Sequence, residues 1–160
     1  MIRHIFISFV LCAGIAGCGS SQSPTGPNAP AESAPVPVVA GDVGTRLNLV
    51  RSQRGLSQLA PSNALARAAQ AHANDMSQNG YFSHTSPNGG TLVDRVQAAG
   101  YPYCFVAENI AQGQQSAAEV MTSWMNSAGH RRNNLSDRAT EYGVARAGGN
   151  YWVLVLGSRC

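Results

Sequence analysis

Side chains able to act as nucleophiles, acids, bases or metal ligands are sparse in this 160-residue chain, which has four cysteines, four histidines and eight acidic residues. Neutral imidazole binds divalent cations and titrates near neutral pH, so the histidines set the range of available chemistry. No HExxH spacing gathers metal ligands within one helix, and no GxSxG marks an activated serine. Ser83 and Ser86 beside His84 are ordinary loop chemistry, which disfavours a triad hydrolase. His72 falls on an apolar stripe and reads as a core histidine satisfied by one hydrogen bond, with a ligand role as the alternative. Arg131 and Arg132 could face an anionic headgroup or a cell-wall carboxylate, or be solvated surface arginines. Any site must therefore be assembled by the fold from distant segments.

The cysteines divide by position. Arg3 and His4 precede an apolar run from Ile5 to Gly17, too short to span a bilayer and laid out as a signal peptide over residues 1–17. It ends in Ile15-Ala16-Gly17-Cys18, which resembles a bacterial lipobox, so cleavage is expected before Cys18 and a lipid on its thiol. Plain secretion with an unmodified Cys18 is the alternative. Cys12 leaves with the signal peptide, so Cys104 and Cys160 remain as an expected disulfide, or as two free thiols. Gly19 and Ser20 lack the aspartate of an inner-membrane retention signal, which favours the outer membrane of a Gram-negative cell, or otherwise the cell surface.

Residues 18–40, with Pro24, Pro27, Pro30, Pro35 and Pro37, have no apolar period and read as a tether. Residues 41–160 form one domain, expected to be monomeric. Loss of Arg3 lowers the formal charge from +3 to +2, all of the basic residues are arginine, and they are scattered except for Arg131-Arg132 beside His130; this is not the balance of a nucleic-acid binder.

The positioning elements follow from periodicity. Val43, Leu47 and Val50 predict a first helix stopping near Gly55, and Leu65, Ala69, His72 and Met76 a second ending near Gly80. Thr91 to Asp94 resembles a capping box for a third helix running to Gly100. Ser116 to Glu119 opens a fourth, with Glu119 as a capping carboxylate. Tyr142 to Arg146 and Tyr151 to Leu156 predict an antiparallel hairpin, joined by an extended piece over Cys104 to Ile110. Four helices and about three strands make an α+β domain with helices covering a small sheet.

Several stretches, in order, resemble the CAP superfamily of cysteine-rich secretory, antigen 5 and pathogenesis-related proteins, and its bacterial branch most. They are Asn48-x-x-Arg51-x-x-x-Gly55-Leu56, His72-Ala73-x-Asp75-Met76, Tyr81 to Pro87, Glu108-Asn109-Ile110-Ala111, Trp124 to Asn133, and the hairpin from Gly143 to Trp152. The resemblance covers residues 43–157 and implies a three-layer α-β-α sandwich. It also implies a cleft in which His84, Glu108 and His130 meet, with Asn109 and Ser127 adjacent. Ser127 stands where animal and plant members have a second glutamate; Ala107 and Asn134 are further departures. His84, Glu108 and His130 are more than twenty residues apart in the chain, so only folding could unite them.

Two imidazoles and a carboxylate with an open position could hold Zn²⁺ or another divalent ion and acidify a bound water. The same groups could instead brace the loops as a satisfied polar network. The favoured expectation is a lipid-anchored, non-enzymatic binding module whose ligand is a metal, a lipid, a small molecule or an envelope protein. A metal-dependent hydrolase acting on envelope or extracellular substrates and a purely structural envelope protein are the alternatives.

Overall fold

The computed structural model describes residues 38–160, with side chains from Asp42 onward. The expected signal peptide, Cys18 and the tether as far as Pro37 lie outside the described residues. Helix α1 spans Val38–Ser52, five residues earlier than apolar spacing predicts. Strand β1 is Ala60–Pro61, followed by α2 at Asn63–Asn79, α3 at Leu92–Ala98 and β2 at Tyr103–Gln112. Helices α4, Ala117–Asn126, and α5, Ala128–Asn134, precede the β3/β4 hairpin of Glu141–Ala147 and Tyr151–Arg159.

Local chemistry explains most of these boundaries. Thr91 and Asp94 form a reciprocal capping box on α3. Ser116 accepts from the Glu119 amide, and Glu119 accepts from the Gln115 amide at 2.9 Å, so this carboxylate caps α4 as expected. The hairpin turns through Gly149 and Asn150, both in the left-handed region with φ of 72° and 58°.

The sheet order is β1-β3-β4-β2, with β1 parallel to β3 and the other pairs antiparallel. Buried β4 sorts its side chains by the period of two. Trp152, Leu154 and Leu156 pack with Val43 and Leu47 of α1 and Val120, Met121 and Trp124 of α4. Tyr151, Val153 and Val155 face Leu65, Ala69, Ala73 and Met76 of α2 and Val96 of α3. The described residues thus form an α-β-α sandwich with one apolar cluster on each face of the sheet.

Gly143 lets the upper layer approach closely: a Cβ there would lie 2.1 Å from the Ala66 amide nitrogen of α2. Cys104 and Cys160 are disulfide-bonded, joining the start of β2 to the end of the chain. Two elements went unforeseen: the two-residue β1, and α5, which the break at Ser127 separates from α4.

Candidate functional site

Edge strand β2 carries the site. Alternation along it sends Glu108 toward α2 and α3, and its neighbour Asn109 toward α5. A central strand would have both flanks closed by neighbours; an edge strand lets the two helical layers meet around it.

Glu108 is almost fully buried, with its side chain 3% exposed. Its Oε1 accepts from His84 Nδ1 at 2.8 Å and its Oε2 from Arg95 Nη2 at 2.9 Å. A carboxylate can only accept here, so His84 carries its proton on Nδ1 and leaves Nε2 bare when neutral. The His84 side chain is 55% exposed, which makes it the open member of the cluster.

The loop bearing His84 is fastened from below. His72 is fully buried on α2, and its Nε2 lies 2.8 Å from the carbonyl oxygen of Ser83, to which it must donate. Its Nδ1 is then a buried acceptor without a partner. The same Nε2 stands 3.9 Å from Glu108 Oε1. Burial holds the His72 pKa below the ordinary histidine value, and the nearby Glu108 only partly offsets this. The expected core histidine with one hydrogen bond is what the fold contains.

Asp75, one turn further along α2, accepts from Ser86 Oγ at 2.6 Å, from Asn79 and from the Tyr81 hydroxyl. These donors, led by Ser86, hold its carboxyl below the usual carboxylate range. Arg95 of α3 adds bonds to the carbonyl oxygens of His84 at 3.1 Å and Gly90 at 3.3 Å.

His130 comes from the opposite layer. Asn109 Nδ2 donates to the His130 carbonyl oxygen and to Asn134 Oδ1, and Asn109 Oδ1 accepts from Asn133. Asn133 also donates to the Glu108 carbonyl oxygen. Asn134 is fully buried but satisfied: its Oδ1 accepts from Asn109 at 2.8 Å and its Nδ2 donates to Met125 Sδ at 3.6 Å. Buried Arg51 of α1 binds the carbonyl oxygens of Asn134 and Ser136, fixing the far end of α5.

Partial burial and then the neighbouring His84 lower the His130 pKa, so this imidazole favours its neutral, ligand-capable form. Ser127 is the junction of α4 and α5 and makes no side-chain capping bond.

The described residues contain no group of three His, Cys, Asp or Glu side chains placed to hold a metal ion. Both oxygens of Glu108 are already engaged, so the groups suited to a cation are the two imidazoles. Arg95, Asp75, Asn133 and Asn134 were not singled out as site residues from sequence. Asp75 lay inside a quoted motif, but nothing in the local pattern around Arg95 signals its partner thirteen residues away.

The profile of the CAP, cysteine-rich secretory protein family matches residues 45–156. The chain is 39% identical over 106 residues to the uncharacterised protein YkwD of Bacillus subtilis, covering 66% of this chain and 41% of that one. It is 35% identical over 97 residues to the membrane protein YlbC of the same organism, covering 61% of this chain and 28% of YlbC. The chain therefore spans less than half the length of either relative. An extracellular protein containing an SCP domain from Bacillus anthracis superposes with a TM-score of 0.73 at 30% identity, over 79% of this chain and 45% of that one. An outer surface protein of Borrelia burgdorferi shares the fold, with a TM-score of 0.69 at 20% identity, over 74% of this chain and 90% of its own. With the profile covering most of the domain and the sandwich matching, the chain belongs to the CAP, or cysteine-rich secretory protein, family.

Proposed function

We propose that this protein is an extracytoplasmic binding module, lipid-anchored through Cys18, whose ligand site is the cleft between His84 and His130. One observation carries the reading. An exposed imidazole is held by its inner nitrogen on a buried carboxylate, which leaves its outer nitrogen turned to whatever enters. An imidazole kept only for packing has no need of this arrangement, whereas one that binds gains preorganisation from it.

Were a divalent cation such as Zn²⁺ to bind, His84 Nε2 and the neutral ring of His130 would be its imidazole donors, and it would supply Lewis acidity there. Glu108, engaged on both oxygens, orients His84 and is not free to serve as a base, so binding is the better-supported class. The extracellular Bacillus anthracis neighbour supports a location outside the cytoplasm.

The test is a melting-temperature titration of the purified chain with Zn²⁺, since a ligand that binds only the native state must raise stability, by about 2.7 kcal/mol at a hundredfold excess over Kd. No shift at saturating metal ends the metal reading. A shift that survives in the His84→Ala, His130→Ala double variant moves the site elsewhere. Mass spectrometry of the mature chain tests the anchor, with a diacylglyceryl Cys18 at the N-terminus as the expected species.

A further inference from the structure

We infer that the pocket lined by Arg51 and Asp137, beyond the C-terminal end of α5, is a ligand site that takes a small dipolar solute of the α-amino-acid class, its carboxylate on Arg51 and its ammonium toward Asp137. None of the lining residues belongs to the His84/His130 cleft, so the inference stands apart from the reading of that cleft.

Arg51 is 1% exposed, and among the described residues no carboxylate forms an ion pair with it. A buried guanidinium persists only where its N–H groups find acceptors. Nε donates to the Ser57 carbonyl oxygen at 2.9 Å, and Nη1 to those of Asn134 at 2.9 Å and Ser136 at 2.8 Å. Of the five donors of an arginine, these bonds use three and leave the two of Nη2, which no described residue accepts. Nη2 is not sealed from solvent as Arg95 Nε is, so its accessible edge meets the pocket that Arg51 lines. Carbonyl oxygens carry no net charge, so the three bonds satisfy geometry and leave the positive charge unneutralised. Burial pulls the Arg51 pKa below the usual arginine value, and the charge that opposes this is Asp137.

The pocket encloses about 260 Å³. That lies just below the range of about 300–1,000 Å³ typical of drug-sized ligands, which suits a smaller solute. Leu56 and Ala139 line it with apolar surface, and Ser57 and Thr140 bring hydroxyls. A simple anion would be drawn to Arg51 and repelled by Asp137, and a simple cation the reverse. A solute carrying both charges on neighbouring atoms satisfies both residues. Arg51 supplies the stronger contact, because a charge-assisted bond from a shielded donor exceeds one to an exposed, screened carboxylate. Asp137 then selects among carboxylates for those that bear an amine.

Titration of the nitrogen-15-labelled mature chain in detergent with L-alanine, read by NMR at Arg51 Nε and at the Ser57 and Thr140 amides, tests the inference. L-Alanine is expected to shift these signals saturably, acetate to bind about threefold more weakly or worse, and ethylammonium to leave them unmoved. Asp137→Asn removes an exposed charge that no described residue hydrogen-bonds. It is expected to weaken L-alanine about threefold while leaving acetate as tight as before or tighter. Thr140→Trp, which fills the pocket, is expected to abolish the shifts. No saturable shift at Arg51, acetate binding as tightly as L-alanine, or an L-alanine affinity unmoved by Asp137→Asn overturns the inference. Shifts that persist in Thr140→Trp place binding elsewhere and overturn it too. Should either variant fail to fold, the comparison of the three solutes on the wild-type chain decides alone.

Discussion

Asn109 Nδ2 lies 3.1 Å from the carbonyl oxygen of His130, so one amide on β2 fastens the helix that carries the second imidazole of the cleft. The same nitrogen bonds Asn134 Oδ1 at 2.8 Å, and the amide oxygen receives Asn133 at 2.9 Å. All of this takes place on a side chain with no exposure to solvent.

Asn109→Ala is therefore expected to strand buried partners on α5 at once. Leaving such groups unpaired costs about 1–3 kcal/mol each, so urea melts should show a loss of about 2–4 kcal/mol. A loss below about 1 kcal/mol would mean that α5 holds its place by other means.

Stability should fall on acidification from about pH 7 toward pH 5. The folded pKa values of His72 and His130 are both lowered, by burial first, so the unfolded chain takes up protons before the folded one does. Their contribution is complete above the ordinary histidine pKa and is lost as pH drops through and below it. His72→Gln should flatten the slope of melting temperature against pH; an unchanged slope would assign it to other groups.

Asp75 acts in a lower window. Its depressed carboxyl contributes stability above the unfolded aspartate pKa, and that contribution disappears as pH falls toward the folded value. Asp75→Asn should abolish the part of acid unfolding that lies below about pH 4 and loosen the His84 loop, seen as faster amide exchange at Ser83 to Ser86.

Removing the bridge by Cys104→Ser with Cys160→Ser opens a loop spanning 56 positions. The chain-entropy model gives a loss of up to about 4 kcal/mol, readable as a lower denaturant midpoint. Gly143→Ala should be costly for a different reason: the added methyl meets the backbone of Leu65 and Ala66 at 2.2 and 2.1 Å. Backbone cannot step aside as a side chain can, and a loss of about 3 kcal/mol or more is expected.

How far each feature was legible depended on whether its cause was local. The α3 capping box, the Ser116/Glu119 cap and the hairpin are written in adjacent residues, and were found. His72 was readable because a histidine on an apolar stripe has few fates. Helix α5 was not: Ala128 to Asn134 contains a glycine and two asparagines and has no apolar period, and the bonds from Asn109 and Arg51 hold it from outside. Arg95 lies on a seven-residue helix among Leu92, Val93 and buried Val96, and its importance comes from Glu108, which local pattern does not reveal. The grouping of His84, Glu108 and His130 came from family resemblance alone; the fold places His84 on Glu108 and brings His130 near enough for His84 to disfavour its charging.

The outer rim of β2 has a further consequence. Trp124 Nε1 donates to the Ile110 carbonyl oxygen and Asn133 Nδ2 to that of Glu108, both at 3.2 Å. These two acceptors on an edge strand are thus already satisfied by side chains. A strand pairing onto β2 at these two positions would first have to displace the Trp124 and Asn133 side chains, so any such contact would disturb the helix that carries His130.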